Sequence, residues 1–135
     1  DRCMQKANSE GVIRTKLGRK CRFEMWEPKD FGVHTPERFE NASAKYGSSN
    51  IKRAFTYKAL NRLIQGSAAD QTKQAVVECH KNGFTPILQI HDELCFNLIN
   101  DEDVNKIKRV MEGCVKLKVP SVVDVAIGKD FGEAS

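Results

Sequence analysis

Apolar residues recur near the 3.6-residue period from about Ile51 to Lys81, at Leu60, Leu63, Ile64, Ala68, Ala75, Val76 and Cys79, and the pattern stops at Asn82-Gly83. This predicts one long helix, ended by a glycine suited to a left-handed conformation. A second helix is predicted from about 102 to Lys118. Asp101-Glu102-Asp103 places negative charge at its start, Val104, Ile107, Val110, Met111, Cys114 and Val115 form an apolar face, and Pro120 stops it. Residues 1 to 9 read as the end of a helix, with Cys3, Met4 and Ala7 apolar and Gly11 as the stop. Alternation takes over elsewhere. Val12 to Leu17 and Gly18 to Phe23 predict a basic hairpin turning at Gly18, Thr85 to Asn97 a second hairpin with His91-Asp92-Glu93 at its tip, and Val122 to Ile127 a closing strand. Between Met25 and Ser49 the residues turn to Trp, Pro, Gly, Asn and Ser with weak periodicity. That predicts an irregular excursion in which Thr35 to Phe39 caps one helical turn, while Trp26 and Phe31 pin the loop to the body. The sum is an α+β fold, a small antiparallel sheet of the His91 hairpin and the final strand packed on the helices at 51–81 and 102–118.

Composition narrows the class without naming a function. With 135 residues, 40% hydrophobic and 30% charged, the chain suits one domain with a real core and is far from disorder. The net charge of +4 is modest. Its distribution is more informative, because Arg14, Lys16, Arg19, Lys20 and Arg22 fall in one stretch and Lys45, Lys52, Arg53, Lys58 and Arg62 in another, the pattern of a polyanion-facing surface or of a solvated one. Five scattered cysteines without a CxxC pair suggest free thiols in a reducing cytoplasm. No apolar run approaches the ~20 residues of a membrane span. The opening Asp1, in place of Met, suggests a processed or excised piece.

Two constellations carry candidate chemistry. At the hairpin tip, Asp92 and Glu93 sit on backbone held by two strands and remain reachable by a divalent cation; Mg²⁺ commonly takes one or two carboxylates and leaves its other positions to water and phosphates. Consecutive strand residues point to opposite faces, so a complete two-metal site needs a carboxylate from elsewhere. The bland alternative is a polar turn. In the second constellation, Asn61 and Gln65 lie one helical turn apart, so two carboxamides project together and can meet the acceptors that every base pair offers in the minor groove. Gly66-Ser67-Ala68-Ala69 follows as a small-residue patch that admits a neighbouring element. Amides that cap or cross-brace the fold are the alternative here.

Together these segments resemble the C-terminal part of the palm of family A DNA polymerases. Asn61-x-x-Ile64-Gln65-Gly66-Ser67-Ala68-Ala69-Asp70 is similar to the family's helix before the last palm hairpin, Gln89-Ile90-His91-Asp92-Glu93-Leu94 to its third catalytic motif, and Gly11-x-x-x-Thr15-x-x-Gly18-Arg19 to the hairpin after the fingers. Met111-Glu112-x-Cys114 through Val119-Pro120 to Val125 is similar to its C-terminus. The resemblance covers nearly the whole chain in order, with residues 25–49 closer to a phage variant. It implies that Asp92 binds the catalytic Mg²⁺ pair, roughly 3.5 to 4 Å apart, that activates the primer 3′ hydroxyl and stabilises the leaving pyrophosphate. It implies further that Glu93 supports that site, that His91 lies near the primer end, and that Asn61 and Gln65 touch the terminal template and primer region. One departure is Tyr57, where many relatives carry arginine; Lys58, Arg53 or Arg62 then stands in for its phosphate contact, and Arg19 joins the DNA-facing set.

The family's other metal-binding aspartate and its nucleotide-holding fingers helix would lie upstream of Asp1. The expectation is therefore a polymerase part, from a split gene or an excised piece, that takes primer-template DNA and dNTP only with an upstream palm and fingers fragment, in the cytoplasm of a host if a phage encodes it. The sheet face that upstream strands would cover is expected to be exposed and available for self-association. The rival is a non-catalytic nucleic-acid-binding module derived from a palm. A metal-dependent hydrolase using His91, Asp92 and Glu93 is a third reading, weakened because His80 and His34 show no ligand spacing with them.

Overall fold

The computed structural model describes residues 2–134 as a mixed α+β chain. Its internal contacts divide it into two units, Asp1–Ala68 and Ala69–Ser135. Asp1 and Ser135 lie outside the described residues.

In the first unit, helix α1 (Arg2–Glu10) is followed by the antiparallel strands β1 (Val12–Arg14) and β2 (Lys20–Arg22), paired Val12 to Arg22 and Arg14 to Lys20. Gly11 makes the corner between α1 and β1. It sits at φ 70°, its N–H bonds the Ala7 carbonyl at 3.0 Å, and a Cβ there would lie 2.5 Å from the Arg53 guanidinium carbon. Only glycine meets both demands. Ala7, Ile13, Phe23 and Ala59 form the core, with Cys3, Cys21, Phe55 and Leu63 packed around it.

The stretch expected to be irregular is ordered. β3 (Met25–Pro28) pairs on one side with β4 (Glu37–Arg38) and on the other with β5 (Ile51–Arg53), and α2 (Phe39–Tyr46) lies between β4 and β5 in sequence. Helix formation starts at Phe39, after the Thr35-Pro36 expected to open it. Trp26 organises this sheet. Its ring meets Phe39 edge-on at 5.0 Å and carries the Arg53 guanidinium at 4.5 Å. Phe31 pins nothing, being fully exposed in the β3–β4 loop.

The long helix begins later than its periodicity suggests. Residues 51–53 are committed to β5, Phe55 adopts a left-handed φ of 61°, and a 3-10 turn at Thr56–Lys58 leads into α3 (Ala59–Lys81). Leu60 and Ile64, expected on its apolar face, are exposed, while Leu63 packs on the core.

In the second unit, β6 (Leu88–Ile90) and β7 (Glu93–Cys95) form the expected hairpin, and α4 (Glu102–Gly113) stops at Gly113, short of Lys118. Glycine is a poor helix former, which suits an early end. Burial pushes the Cys79 and Cys114 thiols above their ordinary range. A short helix, α5 (Phe131–Ala134), closes the described chain.

The closing strand is absent. Residues 122–127 pair with nothing among the described residues, so the sheet of hairpin plus final strand is replaced by a two-stranded ribbon. The segment is fastened through side chains instead: Glu112 Oε1 accepts the Val123 N–H at 3.0 Å, and Gln71 Nε2 donates to Ser121 Oγ at 2.6 Å. A backbone donor satisfied by a carboxylate has no need of a ladder.

Candidate functional site

Asn61 and Gln65 are both exposed on α3, one turn apart, as helical geometry requires for two side chains on one face. The turn of the β1–β2 hairpin comes against the same stretch of helix. A Cβ on Gly66 would lie 3.2 Å from Thr15 Cγ2 and 3.5 Å from Arg19 Cδ, so the glycine permits the approach that the small-residue patch suggested. The turn itself is closed by Thr15, whose N–H bonds the Arg19 carbonyl at 3.0 Å and whose hydroxyl accepts the Arg19 N–H at 3.1 Å. Arg19 therefore starts from a fixed backbone beside the amides.

Three further cations divide in role. Arg62, exposed on α3, lays its guanidinium 5.2 Å from the Phe23 ring centroid and points a nitrogen at Cys21 Sγ, 3.6 Å away, tying the helix face to β2. Lys58 is exposed at the entry to α3, its ammonium 5.4 Å from the Phe55 ring and 5.5 Å from that of Tyr57. Arg53 is turned inward. One nitrogen donates to the Phe23 carbonyl at 2.9 Å, the group stacks on Trp26, and Nε is buried without a partner. Of the cations singled out from sequence, Arg53 thus serves the interior, because β5 carries it across Trp26.

His91, Asp92 and Glu93 belong to the second unit, and all three are exposed. His91 and Asp92 make the two-residue turn between Ile90 and Glu93, which pair directly across the hairpin. His91 takes a φ of 52°, and only it, not Asp92, is left-handed. Two-residue hairpin loops require such a conformation because it matches the twist of the strands. The Gln89 amide braces the bend by donating to the His91 carbonyl at 3.2 Å. Neither Asp92 nor Glu93 is among the ion-paired side chains, and no group of three or more His, Cys, Asp and Glu among the described residues is placed to hold a metal. His80 contacts Thr85 at 3.1 Å and His34 contacts Asp30 at 2.6 Å, so both imidazoles are engaged locally and the hydrolase reading gains nothing.

Sequence reasoning passed over Phe55 and marked Tyr57 only as a departure from the family pattern, although both rings border Lys58; the run Phe55-Thr56-Tyr57-Lys58 was the available signal. No helix among the described residues is long and apolar enough to cross a membrane.

Residues 1–133 match the family described as DNA polymerase family A. The DNA-directed DNA polymerase of Pseudomonas phage M6 is 39% identical over 132 residues, covering 98% of this chain and 17% of that protein. The thermostable DNA polymerase I of Thermus filiformis is 36% identical over 141 residues, which is 99% of this chain and 15% of the relative. DNA polymerase theta of Drosophila melanogaster is 30% identical over 144 residues, or 94% and 6%. The chain spans about a sixth or less of these relatives, and by its near end-to-end match it belongs to DNA polymerase family A.

Proposed function

We propose that this chain is the C-terminal palm segment of a template-directed DNA polymerase and acts in nucleotidyl transfer from dNTPs to a primer 3′ end. The observation that supports the reading most is the bend at His91-Asp92, where a left-handed residue in a two-residue turn leaves the carboxylates of Asp92 and Glu93 exposed, with neither in an ion pair among the described residues. Hard carboxylate oxygens suit Mg²⁺, and Asp92 with Glu93 in support would hold it, but the donor set here is short and calls for a further carboxylate from an upstream palm. When bound, Mg²⁺ supplies Lewis-acid activation of the primer hydroxyl and charge stabilisation of the leaving pyrophosphate. The chain's own residues do the remaining work. His91 offers its imidazole near the primer end, and Asn61 and Gln65 feel the minor-groove acceptors of the terminal pairs regardless of sequence. Arg19, Lys58 and Arg62 neutralise phosphates along the duplex.

An upstream palm and fingers fragment is the natural partner for the apolar residues left open around the hairpin, among them Ile87, Leu88 and Ile99. Self-association through that face is the competing use. A cytoplasmic location, that of a host if a phage encodes the chain, accompanies the reading.

Primer extension with Mg²⁺ tests it. The chain alone is expected to be inactive and to gain activity with a matching upstream fragment, and Asp92→Ala is expected to abolish extension while leaving duplex affinity nearly unchanged. Activity of the isolated chain refutes the need for a partner. Full activity in the Asp92→Ala complex overturns the catalytic assignment and leaves the binding-module reading.

A further inference from the structure

The entry to α3 holds a lysine in an unusual way. The Lys58 ammonium is 5.4 Å from the ring centroid of Phe55 and 5.5 Å from that of Tyr57, and it forms none of the ion pairs in the described chain. An exposed lysine ordinarily samples many rotamers around a hydrated ammonium. Here the neighbouring π-faces attract the cation and define its place without cancelling its charge.

That place is referred back to the core. Phe55 packs against the cluster of Ala7, Ile13, Phe23 and Ala59, and its carbonyl accepts the Lys58 N–H at 2.9 Å. Phe55 also stands at φ 61°, a conformation bulky residues avoid. Such strain persists where the surroundings over-determine it, and it clusters at ligand clamps. Tyr57 is different, with 68% of its surface exposed, so burial does not account for its ring. Its phenol is a hydrogen-bond donor that an anion can use.

We propose that Phe55, Tyr57 and Lys58 form a phosphate clamp, in which the rings hold the ammonium ready for one backbone phosphodiester of the duplex whose minor groove Asn61 and Gln65 address. The clamp rests on the reading of α3 as a duplex-facing helix and adds Tyr57 and Phe55 to it as positioning residues. Pre-placing the cation removes an ordering cost from binding, so the rings raise affinity without adding charge. Charge and placement are therefore separable.

Fluorescence anisotropy of a labelled primer-template duplex with the 135-residue chain, titrated at several salt concentrations, reads both. Lys58→Gln is expected to weaken binding and to lower the salt slope by roughly 0.9, the value for one phosphate contact. Tyr57→Leu is expected to weaken binding several-fold with the slope kept, and Lys58→Arg to keep both. Phe55→Leu should behave like Tyr57→Leu; because Phe55 touches the core, circular dichroism must first show that variant folded, and Tyr57→Leu carries the test if it is not. An unchanged slope in Lys58→Gln, or wild-type affinity in Tyr57→Leu, while Asn61→Ala weakens binding, overturns the clamp and leaves the helix reading intact. Absence of salt-dependent duplex binding by the wild type overturns both. Displacement of duplex by pyrophosphate from the wild type but not from Lys58→Gln assigns the position to a triphosphate and also overturns the clamp.

Discussion

The guanidinium of Arg53 lies 4.5 Å from the centre of the Trp26 ring and donates to the Phe23 carbonyl at 2.9 Å, joining the β3–β5 sheet to the end of the β1–β2 hairpin. Arg53→Ala should therefore act on stability. Losing the ring contact and leaving a carbonyl without its donor is expected to cost about 2 kcal/mol, seen as a lower urea midpoint. The salt slope of duplex binding should stay as in the wild type; a fall by one contact would show that Arg53 reaches phosphate after all.

His91 pays a conformational cost for its position, since residues with a Cβ disfavour the left-handed φ of 52° it adopts. His91→Gly should stabilise the hairpin by up to about 1 kcal/mol while removing the imidazole. The expected pairing is a raised thermal midpoint with lowered primer extension in the reconstituted complex. Unchanged extension would reduce His91 to a turn residue.

Gly66 marks where the hairpin turn meets α3. Alanine there gains helix propensity and crowds Thr15 Cγ2, 3.2 Å from the new methyl, so the two effects oppose each other. Leucine at that position has no such balance. Gly66→Leu should destabilise the chain by roughly 1–3 kcal/mol, measured by chemical denaturation, and weaken duplex binding by displacing Arg19.

The β3–β4 loop should respond to acid. The Gly32 N–H bonded to Asp30 Oδ1 at 3.0 Å, and then the His34 imidazole, hold the Asp30 carboxyl below its ordinary 3.8. A carboxylate lowered in the folded state lends stability above its unfolded pKa and loses it as pH falls through the folded value. The Gly32 amide resonance should accordingly titrate with a midpoint below 3.8 and lose its pH dependence in Asp30→Asn.

Much of this was legible in the residues, and the limits are physical. Both hairpins showed because each carries alternation around a turn, and α3 showed because its period runs for six turns. The β3–β5 sheet did not, since its strands are two to four residues long and paired partners such as Trp26 and Arg53 stand far apart in sequence. Val122 to Ile127 misled for the opposite reason: β-branched residues mark a strand only where an edge receives them, and here Glu112 takes the Val123 N–H. At the site, the shared face of Asn61 and Gln65 followed from their spacing, and the reach of Asp92 and Glu93 from their place at a hairpin tip. The inward turn of Arg53 depends on tertiary packing that no local pattern encodes, while the rings beside Lys58 stood in its own run, Phe55-Thr56-Tyr57-Lys58.

The ribbon of β6 and β7 has a practical consequence. Two strands alone are marginal in water, and among the described residues no further strand pairs with either outer edge, so an extended segment that drifts past can add to the ribbon. Purified by itself at high concentration, the chain should tend toward precipitates enriched in intermolecular β-structure. Co-production with a segment that docks along the ribbon should keep it in solution.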